Sequence, residues 1–200
     1  MSFPSLGLFF GSLVFTLLAY FSLSLSLNNQ DQGDHFTKMN HKVFVYGTLK
    51  RNEPNHHWLA NRENGYGKYV ADGVTKTKYP LIIATRYNIP FLLYSPGDGH
   101  NVRGEIYQVD DDMLSKLDIL EDHPSYYVRE LDDITVVGKG EVPEVKEMKC
   151  WVYFLKKFKQ DLMTRPLLEV YSSRGGHGLP YMESNNESTI DDLDDVFPKK

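Results

Sequence analysis

The sequence has little cysteine and little clustered positive charge. Cys150 is the single cysteine among 200 residues, so an intrachain disulfide is excluded. It stands in the apolar run 150–155, where we expect a buried core thiol, because apolar surroundings raise the pKa of a thiol and make it unreactive. The formal net charge is −5, and the basic residues cluster only at Lys156, Lys157 and Lys159. A nucleic-acid surface needs a clustered basic footprint, so nucleic acid is not expected as a partner.

Apolar and aromatic residues, by contrast, are plentiful. Hydrophobic residues make up 41% of the chain and charged residues 24%, which is typical of a folded domain and not of a disordered one. The 13 Tyr and 11 Phe are enough to pack a core and to build the walls of a pocket. With 200 residues the chain is long enough for one ordinary domain and too short for two of full size.

The N-terminal stretch forms a separate segment. Residues 3–27 carry no charge and are rich in Leu and Phe, enough for a membrane-spanning helix of roughly 20 residues or for the core of a signal peptide. Met39 stands just before the first strand-like run, which gives the hypothesis that a shorter product begins there. We expect such a form in the cytoplasm and the full-length form to be secreted or membrane-anchored. Membrane contact is expected only if the leader is retained.

The remaining chain divides into one domain and its flanks. We assign residues 1–41 to the apolar leader and polar linker, 42–181 to one folded domain and 182–200 to an acidic tail. Apolar, β-branched and aromatic runs predict strands at 43–46, 79–84, 90–94, 102–109, 126–137 and 148–155, with a short helix near 55–60. Many short strands and one clear helix indicate an α+β domain with a barrel-like sheet, antiparallel or mixed.

The clear helix carries one residue that is out of place. Asp110 or Asp111 can cap its N-terminus, and Pro124 ends it. Its apolar face is marked by Met113, Leu114, Leu117 and Leu120. Glu121 falls in line with this face, four residues after Leu117. Periodicity leaves two interpretations open: a carboxylate held at a raised pKa for chemistry, or a residue of the last turn, where the face has already left the core.

A second pattern, Tyr-Gly-Thr-Leu-Lys, occupies residues 46–50 directly after a strand. A strand that ends in Gly47 can turn so that successive backbone amides point outwards and hold an anion. The pattern is short, and alone it also fits a plain strand-to-turn junction. Glu105 and Asp118 are weaker candidates, which we interpret as ordinary charges of a strand and of a helix surface.

Three histidines complete the candidate groups for chemistry. His56, His57 and His123 lack the spacing of metal ligands, so no metal site is expected. Surface or loop roles are the simpler interpretation for each.

Taken together, the motifs follow one another in a known order. They are residues 43–51 (VFVYGTLKR), Pro54-Asn55-His56, Tyr79-Pro80-Leu81, Asn88-Ile89-Pro90, Gly104-Glu105-Ile106-Tyr107, Leu120-Glu121 and the late His177-Gly178-Leu179-x-Tyr181. This order resembles the γ-glutamylamine cyclotransferase branch of the γ-glutamylcyclotransferase-like, or AIG2-like, family. The resemblance covers residues 42–181 and leaves the leader and the tail outside.

The resemblance implies a fold and a reaction. The fold would be a small mixed β-barrel with flanking helices, and the enzyme would need no cofactor. The small-molecule substrate would be a γ-glutamyl compound such as ε-(γ-glutamyl)lysine, whose α-amine attacks the γ-carbonyl to release 5-oxoproline and a free amine. The family's general base maps onto Glu121. Its substrate loop maps onto Tyr46, Gly47, Thr48 and Leu49, whose amides would hold the α-carboxylate or the developing oxyanion.

Two alternatives stay open. A cyclotransferase for γ-glutamyl amino acids would use the same loop and the same glutamate with a different leaving-group pocket. A binding or signalling protein could keep the barrel without turnover, although the presence of both the loop and Glu121 argues against it. Asn52 and Glu53 depart from the Gly-containing turn expected after Lys50-Arg51, which leaves the substrate range open.

Overall fold

A computed structural model describes residues 39–137, 146–183 and 195–198. Contacts divide the chain into Met1–Met39 and Asn40–Lys200, and the second unit carries all of the described elements. The apolar leader and most of the acidic tail lie outside the described residues, so the predictions on them stay predictions. In the described ranges, no helix is both long and apolar enough to cross a membrane.

The strands form one closed barrel and one hairpin. Their bounds are β1 His41–Val45, β2 Gly67–Thr75, β3 Leu81–Ala84, β4 Ile89–Leu92, β5 Arg103–Val109, β6 Val128–Val137 and β7 Glu147–Phe154. The barrel has the order β1-β5-β2-β6-β7, and β3 pairs with β4 alone. Barrel neighbours are antiparallel except β1 and β7, which run parallel. The predicted α+β fold with a small mixed barrel is confirmed.

Alternation along β1 divides the core into two clusters. Val43 and Val45 pack in one core cluster, which also contains Met113 and Leu117 of the helix that follows β5. Phe44, between them, packs in a second cluster contributed by β1, β5, β6 and β7. Successive side chains of a strand point to opposite faces, so one face of β1 supports the helix and the other fills the barrel.

Strand β2 is the element that the sequence patterns did not predict. Its segment has no apolar run, and Gly67 and Gly73 interrupt it. Gly73 is required by close packing: a Cβ there would lie 2.6 Å from Cγ2 of Ile134 and 3.2 Å from Cδ1 of Ile106. The narrow barrel thus selects glycine where strand propensity would select a β-branched residue.

Two short helices flank the barrel. Helix α1 spans His57–Ala60 and helix α2 spans Asp111–Leu120. Asp110 is the N-cap of α2: its Oδ1 accepts from the amide of Met113 at 2.9 Å, and its Oδ2 accepts from the amide of Tyr66 at 3.0 Å. The same carboxylate therefore starts the helix and ties it to the segment before β2. Glu121 is the C-cap of α2, at φ −87° and ψ 3°.

Candidate active site

The end of β1, the start of β4, the end of α2, the tyrosines that precede β6 and one tyrosine of β7 surround a cavity of about 370 Å³. Its lining consists of Phe44, Val45, Tyr46, Gly47, Thr48, Leu49, Asn55, Ile89, Pro90, Leu120, Glu121, Asp122, Tyr126, Tyr127 and Tyr153. All five residues predicted for the site are among them. Residues more than 70 positions apart in the chain, 46–49 and Glu121, therefore meet at one cavity.

Residues 46–49, which we call the substrate loop, are fixed by two contacts. A Cβ on Gly47 would lie 2.7 Å from Cγ of Pro90, so only glycine lets the loop pass this close to β4. Asn55 makes two hydrogen bonds to Thr48. Its backbone amide donates to the Thr48 carbonyl at 2.9 Å, and its Nδ2 donates to Oγ1 at 3.1 Å. Sequence reasoning did not assign this role to Asn55, although Pro54-Asn55-His56 belongs to the motifs it used.

The loop presents backbone donors to the cavity. Within the part of the chain that the structure describes, the amides of Gly47, Thr48 and Leu49 donate to no protein acceptor. Buried amides rarely stay without a partner. Three consecutive amides without a protein acceptor beside a cavity are the arrangement of donors that anions and oxyanions bind in other proteins.

The side chains of the loop have other roles than its backbone. Leu49 is buried and packs in the core cluster that supports α2. Tyr46 is also buried, and its hydroxyl donates to the carbonyl of Tyr153 at 2.9 Å. Burial, followed by the nearby Glu121 carboxylate, raises the pKa of Tyr46 well above its ordinary value. Tyr46 is therefore a neutral wall residue, bonded across to β7.

Glu121 lies at the end of the apolar stripe of α2, facing the cavity. Its backbone amide still bonds back into the helix, on the carbonyls of Leu117 and Ile119, which fixes where its side chain starts. Burial raises the pKa of the carboxyl to about 7. Among the described residues no hydrogen bond or ion pair reaches this carboxylate. The group is therefore poised to exchange a proton near neutral pH.

Tyrosines form the rest of the wall around Glu121. Tyr127 stacks on Phe91, with ring centroids 6.0 Å apart and planes at 15°, and its hydroxyl donates to the carbonyl of Pro90 at 3.4 Å. Tyr153 donates to Oδ1 of Asp118 at 2.7 Å. Both phenols thus point their polar ends at protein acceptors and offer ring surface to the cavity.

Asp118, which we interpreted from sequence as a charge of a helix surface, instead forms a half-buried pair with Arg129. Nη1 of Arg129 lies 3.3 Å from Oδ2 of Asp118, with side-chain exposures of 17% and 26%. The guanidinium also stacks over Trp151 at 4.6 Å. Asp118 thereby orients Tyr153 from one oxygen and Arg129 from the other, so it supports the cavity wall without facing the cavity.

Glu105 is likewise occupied elsewhere. It accepts from the backbone amide and Nε of Arg51, at 2.9 and 3.0 Å, and from the hydroxyl of Tyr107 at 2.8 Å. The family resemblance led us to expect a Gly-containing turn after Arg51, where this sequence has Asn52 and Glu53. Asn52 has φ 65°, and Asn tolerates this left-handed conformation better than other non-glycine residues do. The turn is therefore kept with a different residue.

The C-terminal strap, residues 168–182, braces the chain that follows the substrate loop. Nζ of Lys50 donates to the carbonyl of Tyr171 at 2.5 Å, and the amide of Ser173 donates to Glu53 at 2.8 Å. The fully buried Tyr171 ring stacks on His177, with centroids 6.2 Å apart. The late motif containing His177 is thus close to the loop motif in space.

No cluster of three or more His, Cys, Asp or Glu side chains with metal-binding geometry occurs in residues 39–137, 146–183 or 195–198.

The predicted buried thiol is confirmed, because Cys150 is fully buried and burial raises its pKa to about 12. The polar groups available for chemistry in the cavity are therefore Glu121, Asp122 and the loop amides.

Comparison with known proteins adds independent findings. The family model described as γ-glutamyl cyclotransferase, AIG2-like, matches residues 43–173. The chain is 44% identical over 143 residues to γ-glutamylaminecyclotransferase C of Danio rerio, which covers 71% of this chain and 93% of that protein. It is 40% identical over 149 residues to γ-glutamylaminecyclotransferase of Homo sapiens, with coverage of 72% and 97%.

A solved structure has the same fold. The crystal structure of an AIG2-like protein from Mus musculus matches with a TM-score of 0.69 and 41% identity, and covers 73% of this chain and 97% of that one. The leader lies outside the region that the family model matches.

Proposed function

The chain belongs to the AIG2-like γ-glutamyl cyclotransferase family, and we propose that it cyclises γ-glutamylamines, with ε-(γ-glutamyl)lysine as the representative substrate. The protein is a γ-glutamyl cyclotransferase acting on small-molecule γ-glutamyl compounds. The observation that carries the finer proposal is a buried carboxylate, Glu121, with a pKa of about 7, in a cavity that is also lined by three consecutive residues whose amides have no protein acceptor. Leu120, Tyr126 and Tyr127 give this cavity apolar walls, which suit the alkyl chain of a lysine side chain.

In the proposed reaction Glu121 moves two protons in succession. Its carboxylate takes the first proton from the substrate α-ammonium, because an ammonium has no lone pair and cannot attack. The free amine then adds to the γ-carbonyl and forms the ring C–N bond, which leaves two hydrogens on the ring nitrogen. The protonated Glu121 gives the first proton to the departing nitrogen as the original amide C–N bond breaks. The regenerated carboxylate then takes the second proton from the ring nitrogen and passes it to the released amine, which leaves as an ammonium. The products are 5-oxoproline and the free amine.

The raised pKa of Glu121 favours this assignment. A peptide α-amino group has a pKa of about 7.7–8.0, and the free α-carboxylate of a γ-glutamyl substrate raises the pKa of its ammonium above that range. With a pKa of about 7, Glu121 takes this proton at a lower cost than an ordinary carboxylate would, and giving the proton to an amine is favourable. An ordinary exposed glutamate would lie some three units lower and would be a poor base for an ammonium.

The substrate loop supplies the second part of the mechanism. We propose that the amides of Gly47, Thr48 and Leu49 bind the substrate α-carboxylate or the oxyanion that develops on the γ-carbonyl oxygen. Either role places the amine and the carbonyl near each other, and such alignment can lower the barrier by up to roughly 7–11 kcal/mol. Tyr46 contributes by holding the start of the loop against β7.

The test is product analysis with two substrates. The purified protein is incubated with ε-(γ-glutamyl)lysine and, separately, with γ-glutamylalanine, and 5-oxoproline and the released amine are quantified by mass spectrometry. We expect equal amounts of 5-oxoproline and lysine from the first substrate, at a kcat/KM at least about tenfold above that of the second. Faster turnover of γ-glutamylalanine would favour the cyclotransferase for γ-glutamyl amino acids. No 5-oxoproline from either would favour the binding-protein alternative.

A further inference from the structure

We propose that Asp122 determines leaving-group specificity, by favouring γ-glutamyl substrates whose leaving amine ends in a net positive charge and disfavouring those whose leaving amine ends in a net negative charge. The lysine of ε-(γ-glutamyl)lysine ends in both an ammonium and a carboxylate, so its distal end is neutral and lies between these two classes. This inference rests on the proposed function and refines it. Asp122 follows Glu121 directly and lines the same cavity. It was not among the residues that the sequence patterns selected.

The carboxylate of Asp122 is available for a ligand. The residue is exposed, in contrast to Glu121, and its φ of 46° turns the chain out of helix α2. Its backbone is engaged, since its amide donates to the carbonyl of Ile119 at 3.2 Å and its carbonyl accepts from the amide of Tyr126 at 2.8 Å. Its side chain, however, has no hydrogen bond or ion pair within the described residues. A fixed backbone thus presents a free negative group at the cavity.

The formal charges among the cavity-lining residues are all negative. Of the cavity residues that the structure describes, Glu121 and Asp122 bear the formal charges, and none is Lys, Arg or His. Lys50, which directly follows the substrate loop, donates to the carbonyl of Tyr171 instead. A substrate needs its glutamyl α-carboxylate bound, and the loop amides can bind one such anion. A second carboxylate, on the leaving amine, finds no cation among the lining residues. It lies instead near the unpaired carboxylate of Asp122.

Nearby cations outside the lining are also committed to other partners. Arg51 is bound to Glu105 and stacks over the ring of Tyr69 at 3.7 Å. Arg129 is paired with Asp118 at 3.3 Å. Because these guanidinium groups already have acidic partners, they do not offset the negative potential that Asp122 adds to the cavity.

Three substrates that differ only in distal charge test the inference. The γ-glutamyl amides of putrescine, butylamine and 4-aminobutyrate share the reacting bond and a four-carbon chain, and end in an ammonium, a methyl and a carboxylate. An exposed ion pair changes an equilibrium by about two- to fivefold, so attraction and repulsion together should separate the putrescine and 4-aminobutyrate substrates by roughly tenfold in kcat/KM. The separation should shrink in about 0.5 M salt, because exposed charges are screened.

The variant Asp122→Asn removes the charge and keeps the fold, because Asn also tolerates a positive φ. We expect it to bring the putrescine to 4-aminobutyrate ratio close to one, by lowering kcat/KM for the putrescine substrate and raising it for the 4-aminobutyrate substrate, each relative to the butylamine substrate. The matched control is Asp112→Asn, the same charge change at an exposed position on the first turn of α2 and outside the cavity lining. It should keep the ratio of the unchanged protein.

Each other outcome is decisive. If all three substrates are turned over with equal kcat/KM, or if Asp122→Asn keeps the full preference, Asp122 does not select the leaving group and only this inference fails. If none of the three releases 5-oxoproline while ε-(γ-glutamyl)lysine does, only this inference fails; if ε-(γ-glutamyl)lysine also gives no product, the proposed function fails as well.

Discussion

The variant Glu121→Gln should lose activity and gain stability, and the two effects share one cause. Gln keeps the size of the side chain but can neither take up a proton nor ionise. Removing a general base typically lowers a rate by about 10²–10⁴-fold. We therefore expect 5-oxoproline release to fall by at least about a hundredfold while the protein stays folded.

The gain in stability follows from the desolvation of the carboxylate. Burial raises the pKa of Glu121 from 4.5 to about 7. A folded-state pKa above the unfolded value means that the folded protein holds this proton more tightly than the unfolded chain does. Its stabilising contribution is complete below pH 4.5 and is lost as the pH rises through 7. At pH 8 the ionised carboxylate therefore costs about 3 kcal/mol, at 1.36 kcal/mol per pKa unit.

Thermal unfolding at two pH values measures this difference. At pH 8, Glu121→Gln should unfold about 6–12 °C above the unchanged protein, since 1 kcal/mol shifts Tm by about 2–4 °C for 150–250 residues. At pH 4.5 most of the difference should disappear. The matched control is Glu105→Gln, whose acid has a pKa that hydrogen bonds from Arg51 and Tyr107 lower despite partial burial. That contribution is present above the unfolded pKa, so the control should lose stability at pH 8.

The reasoning is refuted by two results. If Glu121→Gln unfolds at or below the Tm of the unchanged protein at pH 8, the carboxylate is not desolvated in the way described. If its kcat/KM stays within tenfold, the base is another group, even though the fold and the reaction stand.

Three further predictions follow from other residues. The kcat/KM of the unchanged protein should rise with pH through about 7, where Glu121 loses its proton; a limb centred below pH 5.5 would contradict this assignment. Gly47→Ala should lower kcat/KM by about 10- to 100-fold, because its Cβ would lie 2.7 Å from Pro90 and displace the loop, whereas Gly176→Ala, with nothing within 4 Å, should not. Iodoacetamide at pH 8 should leave Cys150 unmodified in the native protein, since its pKa is about 12, and should modify it in urea; native-state labelling would show that the thiol is accessible.

Local patterns predicted the elements in which one residue type dominates. The apolar runs gave β1, β5 and β7 to within about two residues, and the spacing of Leu114 and Leu117 gave helix α2. Asp110 was one of the two expected caps and is the one observed. Strand β2 could not be predicted in this way, because packing in the interior of the barrel, and not strand propensity, determines its residues. Gly73 is small because Ile134 and Ile106 approach it.

The sequence predicted the polar residues of the candidate site but not the residues that hold them in place. Periodicity left two interpretations of Glu121 open, and the family resemblance is what selected it before the cavity was known. Tyr153 and Asn55 could not be selected in this way, because their contacts with the site depend on which elements lie together in the folded chain. Arg129 shows the limit most clearly: it alternates like a surface residue of β6, yet it packs on Trp151 and pairs with Asp118.

The parallel pairing of β1 with β7 has a consequence for biosynthesis. A ribosome delivers the chain from its N-terminus, and domains generally fold as units during this process. The first barrel strand, β1, finds its neighbour β7 only when Val43 can pair with Trp151, so the seam stays open until most of the chain has emerged. Tyr46 likewise bonds to Tyr153 on that last strand. The cavity therefore forms only after β7 has emerged, and a chain that ends before Tyr153 should release no 5-oxoproline.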